Sequence, residues 1–310
     1  MSIERVLDHI SDEHTPLSRS GLHMLSALGR KEMEVFADRW PLIGVGRRRQ
    51  VIRSLVEIAE ANFEADFNSI FRFSLQDEDE EVRTQAIDGL CEDENSTLAD
   101  SLLQMLGTDP SIMVRAGAAT GLGRFVLLAE LEELEEELGR RIVKALRQVI
   151  KDRHEALEVR RRAVEAISFS SEEEIREIIQ EAYRHPAEKM RISAVFSMGR
   201  SADPRWGATI ITELDNPNSE VRFEAARACG ELELQEAVPR LVRLILDLDR
   251  EVQQAAVYAL GQIGGQEARR ALQLCCESDD DVIAAAAKDA LDELEFASGI
   301  FDIPLWAKED

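Results

Sequence analysis

The side chains able to do chemistry are few, and their spacing is uninformative. The histidines are His9, His14, His23, His154 and His185. His9, Glu13 and His14 can meet near the N-terminus, but that is a poor metal set. No HExxH, GxSxG or P-loop is present, and no GxGxxG opens a βαβ pattern. Cys91, Cys229, Cys275 and Cys276 form no CxxC pair. They read as buried free thiols, which suits a reducing compartment and a cytoplasmic chain. With 61 acidic residues, any pair of carboxylates is uninformative as an acid–base couple. No catalytic residue, metal or cofactor is therefore expected.

The remaining chemical signal is a column of arginines: Arg48, Arg83, Arg115, Arg160, Arg191 and Arg222. A planar fork of donors suits either an anion ladder or structural pairing. Which one applies depends on the elements that carry the column. Each of these arginines follows a repeating anchor position by one residue. The anchors are Leu17, Arg47, Val82, Val114, Val159, Met190, Val221, Val252 and Val282, at spacings of 30, 35, 32, 45, 31, 31, 31 and 30. Four residues on, seven of the nine repeats carry Ala, from Ala86 to Ala286. Eight residues on stands a larger apolar residue, with Ala290 as the exception. Offsets 0, 4 and 8 share one helix face.

Start and stop signals frame the same helix. Pro110, Pro186 and Pro217 lie four before their anchors, where a missing N–H is not needed. Asp79, Asn218, Asp249 and Asp279 lie three before, where a short acceptor caps. Gly123, Gly199, Gly230 and Gly261 lie nine after, at a helix end or a tight-packing position. Further amphipathic segments, such as residues 98–106 and 238–246, fall between these helices. The unit is helix–turn–helix, and neither helix can bury its apolar face without a neighbour.

The VRxxA pattern closing on Leu-Gly resembles HEAT repeats, most nearly the short bacterial class also found in phycobilisome lyases. Asp203-Pro204 and Ala237-Val238-Pro239 resemble the segments between helices of that class, and the match is best over 155–292. The resemblance implies an all-α, right-handed α-α superhelix of about nine helix pairs, used as a binding scaffold. It implies no activity, because unrelated proteins share the repeat. HEAT-repeat iron hydroxylases use several His-Glu pairs, whereas this chain has only His154-Glu155. The resemblance also favours structural pairing of each column arginine with an acidic or carbonyl group of the adjacent repeat.

The reading is a continuous HEAT-like solenoid over 1–296, followed by a tail or cap over 297–310. The tail carries Ile300, Phe301, Ile303, Leu305 and Trp306, and Pro304 stops a helix there. A longer acidic repeat lies at 125–155, where Leu128, Leu131, Leu134 and Leu138 form a stripe. It reads as an elongated outer helix, or else as a docking ridge.

Offsets 2, 3, 6 and 10 lie opposite the core face and approximate a concave wall. Over these 36 positions there are nine positive and seven negative residues, a balance of +2 in a chain of net charge -24. The wall also carries Ile192, Phe196, Phe223 and Tyr258. Aromatics beside arginine are typical anchors. The expected partner-binding strip is therefore Phe196, Phe223, Arg227 and Tyr258, flanked by Arg161, Arg162 and Arg200. The function expected is a non-enzymatic scaffold or adaptor for a protein or peptide. The alternatives are nucleic-acid binding or base excision, or a phycobilin-lyase-like enzyme. The bulk charge disfavours nucleic acid, and no run of about 18 apolar residues predicts membrane insertion.

Overall fold

The structure, a computed structural model, describes residues 3–301, with side chains through Phe296. Among these residues there is no strand, and 18 α-helices form nine pairs. The fold is an all-α superhelix of the α-α type. The chain forms two compact units, Met1–Ile167 and Ser168–Asp310.

The first unit holds α1 (Ile3–Ser11), α2 (Arg19–His23), α3 (Arg30–Arg39), α4 (Val45–Ala61) and α5 (Asn68–Ser74). It continues with α6 (Glu80–Gly89), α7 (Ser96–Thr108), α8 (Ile112–Glu130), α9 (Glu136–Lys151) and α10 (Leu157–Ile167). The second holds α11 (Glu173–Tyr183), α12 (Glu188–Arg200), α13 (Gly207–Glu213) and α14 (Ser219–Glu231). It ends with α15 (Val238–Leu244), α16 (Arg250–Ile263), α17 (Gly265–Cys275) and α18 (Asp281–Phe301). From α4 onward the even-numbered helices carry the anchors; the first, Leu17, lies just before α2. Within each unit they pack on one another more extensively than the odd-numbered helices do.

The anchor register accounts for the core. Val82, Val114, Val159 and Val252 are fully buried, with Ala86, Ala118, Ala163 and Ala256 beneath them. Arg47 stands at an anchor position and is nonetheless buried. Its guanidinium donates to the carbonyls of Ile10, Asp12 and Thr15, so it closes the loop after α1. The last repeat corrects the register by one residue. Val282 is 47% exposed, whereas Ile283 is 6% exposed and Ala287 is fully buried. The anchor is Ile283, the spacing is again 31, and Leu291 takes the place given to Ala290. The cap moves with it: Asp280, not Asp279, accepts the Val282 N–H.

The glycine column packs second helices together. A Cβ on Gly123 would lie 3.1 Å from the Ala166 Cα, and one on Gly199 would lie 2.9 Å from the Ala228 Cα. One on Gly230 would lie 3.0 Å from the Ala259 Cα, and one on Gly261 would lie 2.8 Å from the Ala290 Cβ. Each alanine stands seven residues after its corrected anchor.

The arginine column is structural. Arg83 donates both arms of its fork to Asp109, at 2.8 and 2.9 Å, and Arg222 does the same to Asp247 at 2.7 and 2.8 Å. Arg115 clamps Glu155 at 2.8 and 3.0 Å, and Arg48 reaches Glu78 at 2.7 Å. Each acceptor belongs to the next pair. Asp109 and Asp247 also accept the N–H two residues on, so one side chain both shapes a turn and receives the clamp. The remaining donor arm of Arg83, Arg115 and Arg222 binds two carbonyls of its own turn. Arg160 and Arg191 differ, donating to carbonyls of their own pair. For Arg191, Asn216 stands where Arg83 and Arg222 find Asp109 and Asp247.

The acidic insertion is not one elongated helix. Helix α8 ends at Glu130 and α9 begins at Glu136, with Glu132 in the left-handed region (φ 60). Leu128 and Leu138 are buried and Leu131 is exposed, so the leucine stripe is divided between core and solvent rather than forming a ridge. Helix α8 is long and apolar enough by composition to cross a membrane. Here it is a core helix, packed against α6, α7, α9 and α10. Helix α18 continues to Phe301, into the segment expected to be a tail. The rest of that segment, with Ile303, Leu305 and Trp306, lies outside the described residues, as do the side chains of Ile300 and Phe301.

Candidate functional site

The wall register puts alternating aromatic and basic residues on consecutive second helices of the second unit. Phe196 and Arg200 lie one turn apart on α12, and Phe223 and Arg227 one turn apart on α14. Arg200 stands over two rings, 5.9 Å from the Phe169 centroid and 5.4 Å from that of Phe196. Arg227 stands 5.8 Å from both Phe196 and Phe223. The order is Phe169, Arg200, Phe196, Arg227, Phe223, a row in which every guanidinium sits against two rings. Cation–π contacts of this kind contribute ~0.5–1 kcal/mol each when exposed and more when desolvated.

One carboxylate faces both cations. Glu231 Oε1 lies 3.4 Å from Arg200 Nε and 3.4 Å from Arg227 Nη2. Burial pushes the Glu231 carboxyl above its ordinary range, and the two arginines pull it back down. Glu224 lies 3.8 Å from Arg227. The side chains of the row are half-buried, so it is both ordered and reachable.

Four of the seven expected strip residues thus come together: Phe196, Arg200, Phe223 and Arg227. Tyr258 stands exposed on the next second helix, α16. Arg161 and Arg162 belong to the first unit and are held within their own helix. Arg161 pairs with Glu158 at 2.6 Å and Glu165 at 3.2 Å, and Arg162 with Glu165 at 2.7 Å. Arg162 and Glu158 also edge a cleft of about 360 Å³, open over α8 where Ala116, Gly117 and Gly121 are small. Phe169 was missed by sequence reasoning. It stands ten residues after Val159, a wall offset, so the register itself holds the signal. The corrected last anchor replaces Lys288 and Asp292 on the wall by Asp289 and Glu293. The wall then has eight residues of each sign.

Other reactive groups are placed away from this row. Cys229 and Cys275 are buried as expected, whereas Cys91 and Cys276 are exposed. Burial pushes the Cys229 thiol up to about 12, which keeps it protonated and unreactive. Among the described residues, no group of three or more His, Cys, Asp or Glu is placed to hold a metal ion.

Comparisons with known proteins agree with this architecture. The family model for HEAT repeats matches residues 72–150 and 207–292, more than half of the chain. Among curated proteins there is no significant match. Among solved structures, the complex of CpcE and CpcF of phycocyanin lyase from Nostoc sp. is similar at 15% identity and a TM-score of 0.56, over 85% of this chain and 96% of that one. Yeast importin-beta is similar at 12% identity and a TM-score of 0.50, over 94% of this chain and 46% of that one. At these identities the likeness is one of fold. Repeated clamps, caps and glycine contacts, together with the family match, lead to one statement of membership: the chain belongs to the HEAT-repeat family.

Proposed function

We propose that this HEAT-repeat protein is a non-enzymatic scaffold that binds a protein or extended peptide along the face of its second helices. The observation that carries this reading is the row of half-buried rings and guanidinia from Phe169 to Phe223. Apolar rings beside arginine give a partner both area and orientation. Second helices pack on one another more extensively than first helices. A stack that is tighter on one side curves toward that side, which supports reading the second-helix face of a unit as its concave one. A concave face offers a partner contact from several helices at once.

The wall charge also supports a peptide partner. With as many negative as positive residues, it lacks the basic excess by which phosphate backbones are held. The free cysteines fit a cytoplasmic location.

The test is affinity capture from the native cell with the wild-type chain and the Phe196→Ala/Phe223→Ala/Tyr258→Ala variant, both checked for folding by circular dichroism. Loss of specific partners from the variant is expected. Undiminished capture of the same partners would overturn the reading. A duplex-DNA titration across salt addresses the nucleic-acid alternative, which requires steeply salt-dependent binding.

A further inference from the structure

Arg200 and Arg227 are poorly satisfied compared with the clamp arginines Arg83, Arg115 and Arg222. A guanidinium carries five N–H donors. Arg83, Arg115 and Arg222 each place two of them on a carboxylate at 2.7–3.0 Å and a third on backbone carbonyls. Among the described residues Arg200 makes no hydrogen bond. Its Nε is buried with no hydrogen-bond partner, and its only contact with a carboxylate among the described residues is the 3.4 Å ion pair with Glu231. Arg227 makes one long bond, 3.4 Å, to that same oxygen. Two guanidinia therefore converge on one oxygen of Glu231, at a distance where neither is well bound.

The rings explain why this arrangement is stable and what it leaves open. Each guanidinium lies against two phenyl rings, which fix it and exclude water while forming no hydrogen bond. The terminal Nη donors remain for a planar acceptor, and a carboxylate matches their fork in two-point geometry. We propose that the row from Phe169 to Phe223 recognises an acidic side chain of a partner peptide, flanked by apolar residues that lie on the rings, and that Glu231 is a resident carboxylate which the incoming one displaces. This rests on the reading of the second-helix face as a peptide-binding surface. A phosphate would fit the same fork. A polyanion, however, must approach a chain of net charge -24, whereas an isolated acidic side chain among apolar neighbours meets far less repulsion.

The experiment uses the full chain and fluorescein-labelled peptides read by anisotropy. One probe repeats Glu-Leu-Glu-Phe, a second carries Gln for Glu, a third carries Lys for Glu, and a fourth probe is oligothymidylate. The acidic peptide is expected to bind most tightly, despite the charge of the protein. Arg200→Gln with Arg227→Gln is expected to weaken it by roughly tenfold or more, about 1.4 kcal/mol. Glu231→Gln is expected to tighten it severalfold, because the competing carboxylate is gone; a purely structural Glu231 would not produce that sign. Thermal melting of each variant shows that it folds. If the Gln peptide binds as tightly, or Glu231→Gln weakens the acidic one, acidic recognition is overturned while peptide binding stands. Tighter binding of the Lys peptide or of oligothymidylate also overturns it. If no peptide of any charge binds, both this inference and the proposed function fall.

Discussion

The glycine contacts allow a stability prediction whose sign departs from ordinary expectation. Inside a helix, Gly→Ala normally stabilises by ~0.5–1 kcal/mol, because alanine has less backbone freedom to lose. At Gly117, inside α8, the new Cβ would meet only the Ile87 Cδ1 at 3.5 Å, an ordinary contact with a mobile methyl. Gly117→Ala should keep its full gain. At Gly123, six residues on in the same helix, the Cβ would meet the Ala166 Cα at 3.1 Å. Backbone must yield there by a few tenths of an ångström, and the gain should vanish. At Gly199 the Cβ would lie 2.9 Å from the Ala228 Cα and 2.8 Å from its Cβ. Overpacking of this kind costs ~1–3 kcal/mol. Set against the propensity gain, Gly199→Ala should destabilise by about 1 kcal/mol. Urea denaturation followed by circular dichroism measures the three midpoints. The order expected is Gly117→Ala above wild type, Gly123→Ala close to it, and Gly199→Ala below. A Gly199→Ala midpoint raised as far as that of Gly117→Ala would refute close helix approach as the reason for the glycine column.

Three further outcomes follow from the clamps and the register. Asp109→Asn removes the partner of Arg83, whose side chain is only 10% exposed, and should destabilise by about 3 kcal/mol in thermal melts. The Arg222 and Arg115 forks hold the Asp247 and Glu155 carboxyls below the usual carboxylate range. Folding therefore releases protons from these groups. Their contribution is complete above the unfolded carboxylate values, near 4, and is lost as pH falls through the lower folded values. Urea midpoints measured from pH 7 to pH 3 should fall less steeply for Arg222→Met than for wild type. In the last repeat, Val282→Lys should leave the thermal midpoint almost unchanged, whereas Ile283→Ala should cost about 2 kcal/mol or more. The reverse order would restore the uncorrected anchor.

The repeat was legible because its signals are local. Valine–alanine columns and a cap three residues before the anchor act within one or two helical turns, so linear spacing reveals them; Pro110, Pro186 and Pro217, expected in the first turn, stand instead one residue before the N-cap. The arginine column was also visible; Asp109 and Asp247 lie 26 and 25 residues after their arginines because the repeat is regular, whereas Glu155 lies 40 after Arg115, beyond the insertion. Spacing failed where the chain departs from that regularity. The last repeat begins with consecutive Val282 and Ile283, and four alanines, Ala284 to Ala287, follow. Periodicity cannot choose between two adjacent faces of such a segment; packing of its Ala290 on Gly261 of α16 does. The leucines of the insertion fit one amphipathic helix on paper, yet a turn at Glu132 separates them, and α9 folds back to pack on α8.

The candidate site divides in the same way. The sequence by itself determined that Phe196, Arg200, Phe223 and Arg227 occupy the non-core face of their helices, since that depends only on offset from the anchor. Tertiary structure decided that these four form one interleaved row with Phe169 while Arg161 and Arg162 are occupied by Glu158 and Glu165. Helix offset states which side a residue faces; whether two faced residues touch depends on the separation and rotation of neighbouring helices. Small residues at the Gly199–Ala228 contact set that separation between α12 and α14, and the rings and guanidinia interleave because the helices lie so close.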